Sequence, residues 1–364
     1  MISFGPTEEQ EIIRDTMKEF AQQAMRPIAR DCDEDASIPQ DFLDTVWELG
    51  LTSTQIPEEY GGGGEARSAV TNAILLEELG YGDAALAVAA VTPSAFANAI
   101  VDHGTEEQKK KYLPLLCGAD FHAASLAAVE SGAVFDAVKP RTTAEPKGES
   151  FVISGSKCFV PLGDRASHFL VMARNGDGLD AFVVPRAAEG LSISEPELNL
   201  GLRGLVTVSL DLERVEVPAA DRLGGAKGCD VRRLLASSRA ALSAVMVGLS
   251  RGVLELCIPY AKDRVAFGEA IAKKQSIAFR MSDMHIETEC MRWLTWKAAS
   301  FLEQGLDAVR PARLARSYSA EKCLWIADNG IQIFGGHGFI REQPLEMWFR
   351  NARTLGVLEG TIGV

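Results

Sequence analysis

Polar and apolar positions follow a helical period from the start of the chain. Thr7-Glu8-Glu9-Gln10, behind Pro6, has capping-box spacing, and Ile13, Met17, Phe20, Ala21 and Ala24 then fall on one face. Pro27 lacks an amide N–H and is expected to kink or end that helix. A second amphipathic stretch runs from Asp41 through Phe42, Val46, Trp47 and Leu49, with Gly50 as its C-cap. The glycines Gly61 to Gly64 read as a loop. The apolar stretch from Ser68 through Leu79 to Ile100 predicts buried helices broken near Gly80, Gly82 and Pro93.

Near Ala119 the period changes. Phe151-Val152-Ile153, Phe169 to Met172, Ala181 to Val184, Leu191-Ser192-Ile193 and Val206 to Leu210 are short, β-branched or alternating, and separated by Gly, Pro, Asp and Asn. They predict an antiparallel β segment. Helix returns from Val231, with long helices expected over Arg239–Ala261, Gln275–Gln304 and Asp307–Asn329. Strands bracketed by helical blocks mean an α+β fold, not an alternating α/β sheet. No internal repeat is visible.

Composition narrows the function classes. The 364 residues are 47% apolar and 24% charged, as in ordinary globular proteins, with a formal net charge of −13. That acidity argues against nucleic acid and anionic membranes as partners. No apolar run approaches the ~18 residues of a membrane span. Met1 to Thr7 has neither a basic region nor an apolar stretch, so no targeting leader is expected there. Cys32, Cys117, Cys158, Cys229, Cys257, Cys290 and Cys323 form no Cys-x-x-Cys pair, and with five dispersed histidines they offer no metal spacing. They read as reduced residues of a cytoplasmic protein.

Three constellations could carry chemistry, and each has an ordinary structural alternative. In Gln332-Ile333-Phe334-Gly335-Gly336-His337-Gly338, the glycines let backbone N–H groups approach an anion, or simply end a helix. In Arg264-Val265-Ala266-Phe267-Gly268, followed by Gln275, the arginine could grip a phosphate, or face solvent. Glu359 is the only ionisable side chain in the run Leu355–Val364. Burial would strip its hydration and suit it to general base work, whereas a surface helix end would leave it idle.

Together these segments resemble the acyl-CoA dehydrogenase family over nearly the whole chain. Thr7-Glu8-Glu9-Gln10, Ile56-Pro57-Glu58-Glu59-Tyr60-Gly61-Gly62, Gly104-Thr105-Glu106-Glu107-Gln108-Lys109, Arg264-x-x-Phe267-Gly268, Gln332-x-x-Gly335-Gly336-x-Gly338 and Glu359-Gly360-Thr361 appear in the family's order and spacing. The resemblance implies an N-terminal helical domain over 1–118, a middle β domain over 119–222 and a C-terminal four-helix bundle over 223–364. It also implies FAD, an acyl-CoA substrate oxidised to a trans-2-enoyl thioester, and an electron-transfer flavoprotein as acceptor. A homotetramer is expected, with a heterotetramer as the alternative. Glu359 matches the base that takes the α-proton. Some members carry that base on a C-terminal helix, in the slot that is Ser238 here. Arg239 matches a residue near the CoA-binding face. Arg264, Phe267, Gln275, Gln332, Gly335 and Gly336 match residues that hold the adenine and pyrophosphate end of a neighbouring subunit's FAD, and Thr361 follows the base in the matched motif.

The chain departs from the family around the flavin ring. Val129-Glu130-Ser131-Gly132-Ala133-Val134-Phe135-Asp136 stands where the family typically has Thr-Glu-Pro-Gly-Ala-Gly-Ser-Asp. Phe159-Val160-Pro161-Leu162-Gly163 stands for Trp-Ile-Thr-Asn-Gly. Val129 and Pro161 therefore lack the hydroxyls expected at the ring, while Phe159 can still stack. The sequence given stops three residues after Thr361, where the family usually continues into helix. Two rival readings follow. One is a partner subunit that completes another chain's FAD site in a mixed tetramer. The other is a same-fold flavin monooxygenase, against which Glu359 counts.

Overall fold

The computed structural model describes residues 5–364; Met1–Phe4, where no leader is expected, lie outside the described residues. Thr7 Oγ1 accepts from the Gln10 backbone N–H at 3.2 Å and the Gln10 side chain accepts from Thr7 N–H at 3.0 Å, opening α1 (Glu8–Phe20). A π-helical turn over Ala21–Met25 then leads into α2 (Arg26–Asp35). Pro27 does not stop the chain, because it falls in the first turn of α2, where an N–H has no helical partner to lose.

After α3 (Gln40–Glu48) and the glycine loop come α4 (Ala69–Gly82) and α5 (Ala84–His103). The expected break beside Gly82 is found, at Asp83, whose carboxylate accepts from Ala85 and Leu86 N–H as an N-cap; Gly80 itself and Pro93 lie within the helices. Gly80 is instead a close-approach site. A Cβ there would lie 2.4 Å from the Val245 carbonyl oxygen, so α4 can cross the long C-terminal helix closely. Beside Pro93, inside α5, Thr92 donates its hydroxyl to the Val88 carbonyl at 2.7 Å. Helix α6 (Glu106–Tyr112) opens on a second capping box, Thr105 with Gln108.

The sheet contains β1 (Ala124–Ala127), β2 (Thr143–Lys147), β3 (Ser150–Pro161), β4 (His168–Asn175), β5 (Gly178–Pro185), β6 (Leu191–Ile193) and β7 (Thr207–Pro218). Its order is β1-β4-β2-β3-β7-β6, with β5 paired to β4. Pairing is antiparallel as expected, except that β1 runs parallel to β4, and β2 meets β4 in parallel at Thr143. Strand β1 escaped the sequence pattern because Ala-Ser-Leu-Ala is uniformly buried and poor in β-branched residues.

The C-terminal bundle is α7 (Val231–Asp263), α8 (Gln275–Glu303), α9 (Val309–Phe334) and α10 (Leu345–Leu355), with a small hairpin, β8 (Val265–Ala266) and β9 (Glu269–Ala270), after α7. Helix α7 is central and packs on α4, α8, α9 and α10. Contrary to the sequence reading, α5 and α7 are long and apolar enough to cross a bilayer; both are instead largely buried by their neighbours.

Candidate functional site

The turn after α10 carries Glu359 to α7. Arg239 Nε donates to Glu359 Oε1 at 2.6 Å, and both side chains are half-buried, about 15% exposed. The carboxylate is thus not the isolated charge that its apolar run suggested. Gly360 makes the approach possible. It has φ +61°, and a Cβ there would lie 2.5 Å from the Ala128 Cβ, so a side chain would drive the turn off the segment after β1. Thr361 N–H donates to Ser238 Oγ at 3.2 Å. Beside this turn runs a channel of about 260 Å³, bordered by Ala95, Asn98 and Asp102 of α5 and by Arg233 and Ser237 of α7. Residues Ile362 to Val364 also border it.

The segment after β1 is fixed from below. Glu130 is 5% exposed and accepts from Lys157 Nζ at 2.8 Å, Thr142 N–H at 2.9 Å, Thr142 Oγ1 at 2.6 Å and Arg141 N–H at 2.7 Å. Burial alone would push its carboxyl up, but the Lys157 ammonium and the Thr142 donors outweigh it and hold it at about 2. Burial pushes the Lys157 ammonium down, opposed by the same carboxylate. The pair lies 27 residues apart in sequence, so neither residue announced the other there.

A consequence can be measured. The Glu130 carboxyl is depressed from its ordinary 4.5, so its contribution is complete above about pH 4.5 and is lost as pH falls through about 2. The wild-type melting temperature is expected to fall across that window, with that part of the fall missing in Glu130→Gln. Lys157→Met, which removes the buried cation and leaves Glu130 to Arg141 Nε at 3.6 Å and to its Thr142 and Arg141 donors, is expected to cost about 3 kcal/mol in denaturant unfolding at pH 7.

Val129 is buried, and its carbonyl accepts from Cys158 N–H at 2.9 Å. On β3 a register shift between Lys157 and Val160 throws Phe159 into a left-handed conformation, φ +54°. Its N–H donates to Glu197 at 3.1 Å, and Glu197 also accepts from the hydroxyls of Thr207 and Ser209, both at 2.7 Å. The Pro161 carbonyl accepts from Ser125 Oγ at 2.5 Å. Val129, Phe159 and Pro161 therefore gather around β3, with no side-chain hydroxyl among them. Sequence reasoning passed over Glu130, Lys157 and Glu197; charged residues within or beside strand patterns were the available signal.

The remaining candidates lie at the other end of α7. Arg264, Gln332, Gly335 and Gly336 border one groove of about 510 Å³, floored by Tyr260, whose ring stacks on Phe334 at 3.7 Å. A Cβ on Gly335 or Gly336 would meet nothing within 4 Å, so the backbone is open to a ligand. Phe267 and Gln275 do not border it. Phe267 sits at the hairpin tip at φ +54°, 95% exposed, and Gln275 is the exposed first residue of α8. From Arg239 to Asp263, α7 is about 36 Å long. That is farther than one dinucleotide reaches, so this groove and the Glu359 turn cannot serve the same cofactor molecule within one chain.

The chain's fit to such a cofactor is uneven. The glycine cradle and Arg264 suit a pyrophosphate. Thr361 Oγ1, in a side chain 1% exposed, has no protein partner among the described residues and suits a polar ligand atom. At β3, Val129 and Pro161 leave the ring edge to backbone groups alone. No group of His, Cys, Asp and Glu able to hold a metal ion occurs among the described residues.

Residues 7–120 match the acyl-CoA dehydrogenase N-terminal domain, 125–215 the middle domain and 228–364 the C-terminal domain. The short-chain-specific acyl-CoA dehydrogenase of Clostridium acetobutylicum is 33% identical, over 99% of this chain and 96% of that protein. The structure of butyryl-CoA dehydrogenase from Megasphaera elsdenii superposes with a TM-score of 0.88 at 28% identity, covering 98% of this chain and 95% of that one. A chain in the structure described as the electron transferring flavoprotein of Acidaminococcus fermentans gives 0.88 at 29% identity, with the same coverage. With three domains in sequence and a relative matched end to end, this chain belongs to the acyl-CoA dehydrogenase family.

Proposed function

We propose that this chain oxidises an acyl-CoA thioester to the trans-2-enoyl-CoA, with Glu359 as the base, FAD as cofactor and an electron-transfer flavoprotein as acceptor. The observation that carries the reading is the Glu359 carboxylate, fixed by Arg239 on a turn that Gly360 presses against Ala128. Arg239 Nε contacts Oε1, and Oε2, which makes no hydrogen bond among the described residues, would take the α-proton. Thr361 and backbone groups near Val129, Phe159 and Pro161 would hold the flavin end of FAD. Arg264, Gln332, Gly335 and Gly336 would hold the nucleotide end of a neighbour's FAD. FAD, when bound, supplies the acceptor for the β-hydrogen, which leaves as hydride. The channel between α5 and α7, which runs up to Ile362–Val364, would admit the acyl group beside the turn.

A second groove, of about 480 Å³, also borders the first turn of α7 and presents Lys139, Arg174 and Arg232 alongside Asp177 and Asp230. These cations form no ion pair among the described residues, in a protein of net charge −13. They suit the CoA phosphates. Arg174→Glu combined with Arg232→Glu is expected to raise KM for the thioester about tenfold or more, with kcat little changed and the effect shrinking at high salt. An unchanged KM at low salt would remove this groove from the reading.

A homotetramer is the proposed assembly, in the cytoplasm. On α8, Phe279, Ile286 and Trp293 are exposed at seven-residue intervals, an apolar stripe suited to a neighbouring subunit. All seven cysteines are free, as in a reducing compartment. The alternative, a partner subunit in a mixed tetramer, is favoured by one observation: the Arg264–Gly336 groove is furnished while Val129 and Pro161 offer the ring no hydroxyl. The deciding experiment is to purify the chain alone, count flavin per chain, and titrate anaerobically with acyl-CoAs from butyryl-CoA upward. Bleaching of one flavin per chain supports the homo-oligomeric enzyme. A colourless chain that gains flavin only with a second polypeptide supports the mixed tetramer.

A further inference from the structure

Beneath the turn that carries Glu359 lies a second arginine that the catalytic reading does not use. Arg316, on α9, is 7% exposed. Its Nη2 donates to the carbonyls of Leu355 at 2.8 Å and Leu358 at 2.7 Å, the last residue of α10 and the residue before Glu359. Nη1 faces only the Met246 sulfur at 3.9 Å, and Nε has no partner among the described residues. Arg316 makes no ion pair there either, which is unusual for a cation so deeply buried.

The groups that face it account for the arrangement. Burial pushes the Arg316 guanidinium down; Glu359 opposes that, Arg239 adds to it, and the Cys323 thiol is a minor influence. The one carboxylate acting on this buried charge is therefore Glu359, and the two arginines bracket it. Arg239 touches it from α7, and Arg316 stands behind the turn on α9. A neutral amide could satisfy two carbonyls at far less desolvation cost, so capping alone does not explain a guanidinium here.

We propose that Arg316 is a positioning residue for Glu359, fixing the turn through two carbonyls and placing a permanent positive charge behind the carboxylate. The proposal rests on the reading of Glu359 as the base. The hydrogen bonds set where the carboxylate points, and the charge attracts it from the α9 side as Arg239 does from α7.

The two contributions separate by substitution. In Arg316→Gln the acid limb of the pH profile for substrate-driven flavin bleaching is expected to move up by about one pH unit, a tenfold change in the protonation equilibrium. Arg316→Lys keeps the charge but reaches fewer carbonyls, so its limb stays in place while the rate falls about tenfold. The carboxylate infrared band of Glu359, identified by subtracting Glu359→Gln, reads the same displacement without substrate or turnover. If wild type bleaches but Arg316→Gln moves neither limb nor band, and lowers only the melting temperature, Arg316 is a packing residue and the proposal is overturned. An Arg316→Lys enzyme as fast as wild type overturns the placement role, even where the glutamine variant does not fold. Failure of wild type to bleach with any thioester defeats the catalytic reading instead, and the infrared band still decides on Arg316.

Discussion

Glu359→Gln is expected to fold, to bind FAD and to lose proton abstraction by at least 10²–10⁴-fold. Glutamine keeps the shape of the side chain and can still accept from Arg239 Nε, so the turn held by Gly360 and Arg316 stays in place. It cannot take up a proton as a base. The measurement is the rate of anaerobic flavin bleaching by an acyl-CoA, which isolates the first half of the reaction. An ordinary surface glutamate would change stability by under about 0.5 kcal/mol and the rate hardly at all. Near wild-type bleaching by the mutant as a homo-oligomer would remove Glu359 from the mechanism. Near wild-type bleaching only in company with a second chain would favour the mixed tetramer, whose working base belongs to the other subunit.

Arg264→Ala is expected to weaken FAD binding about 10- to 150-fold, through loss of a charged phosphate contact of roughly 1.5–3 kcal/mol. The loss should appear on dilution, since the groove of Arg264, Gln332, Gly335 and Gly336 is too far along α7 to serve the chain's own Glu359. Flavin fluorescence during serial dilution measures it. Full FAD retention by the mutant at dilute concentration would show that this groove does not hold the nucleotide.

The elements were legible where one physical signal dominated. Thr7 with Gln10 and Thr105 with Gln108 form their capping boxes because local hydrogen bonds suffice to open a helix. The breaks predicted at Gly80 and Pro93 failed because tertiary packing overrides local propensity: Gly80 is demanded by α7 passing close by, and Pro93 is buried within α5. Helix α10 went unread because Leu345, Met347 and Trp348 are spaced among charges that turn out to be spoken for, as when Glu346 and Arg350 pair at 2.9 Å. At the site, resemblance singled out Glu359 and Arg239 separately, but not their contact. Glu130 with Lys157, and Arg316 beneath the turn, are long-range pairings with no local signature. They exist only once β3 lies beside the segment after β1 and α9 beneath α10.

The length of α7 also bears on how such a protein can diverge. One rod of 33 residues carries Arg239 near its start and delivers Arg264 just past its end. The two ends share a backbone but no side-chain neighbours, so a substitution at one leaves the other chemically untouched. In a duplicated gene, one copy could lose the ring-facing hydroxyls near β3 and still lend its far end to a sister chain. Selection could then maintain the two half-sites separately. The uneven furnishing seen here, without a hydroxyl at Val129 and Pro161 but with Arg264, Gln332, Gly335 and Gly336 gathered at one groove, is the pattern such independent drift would leave.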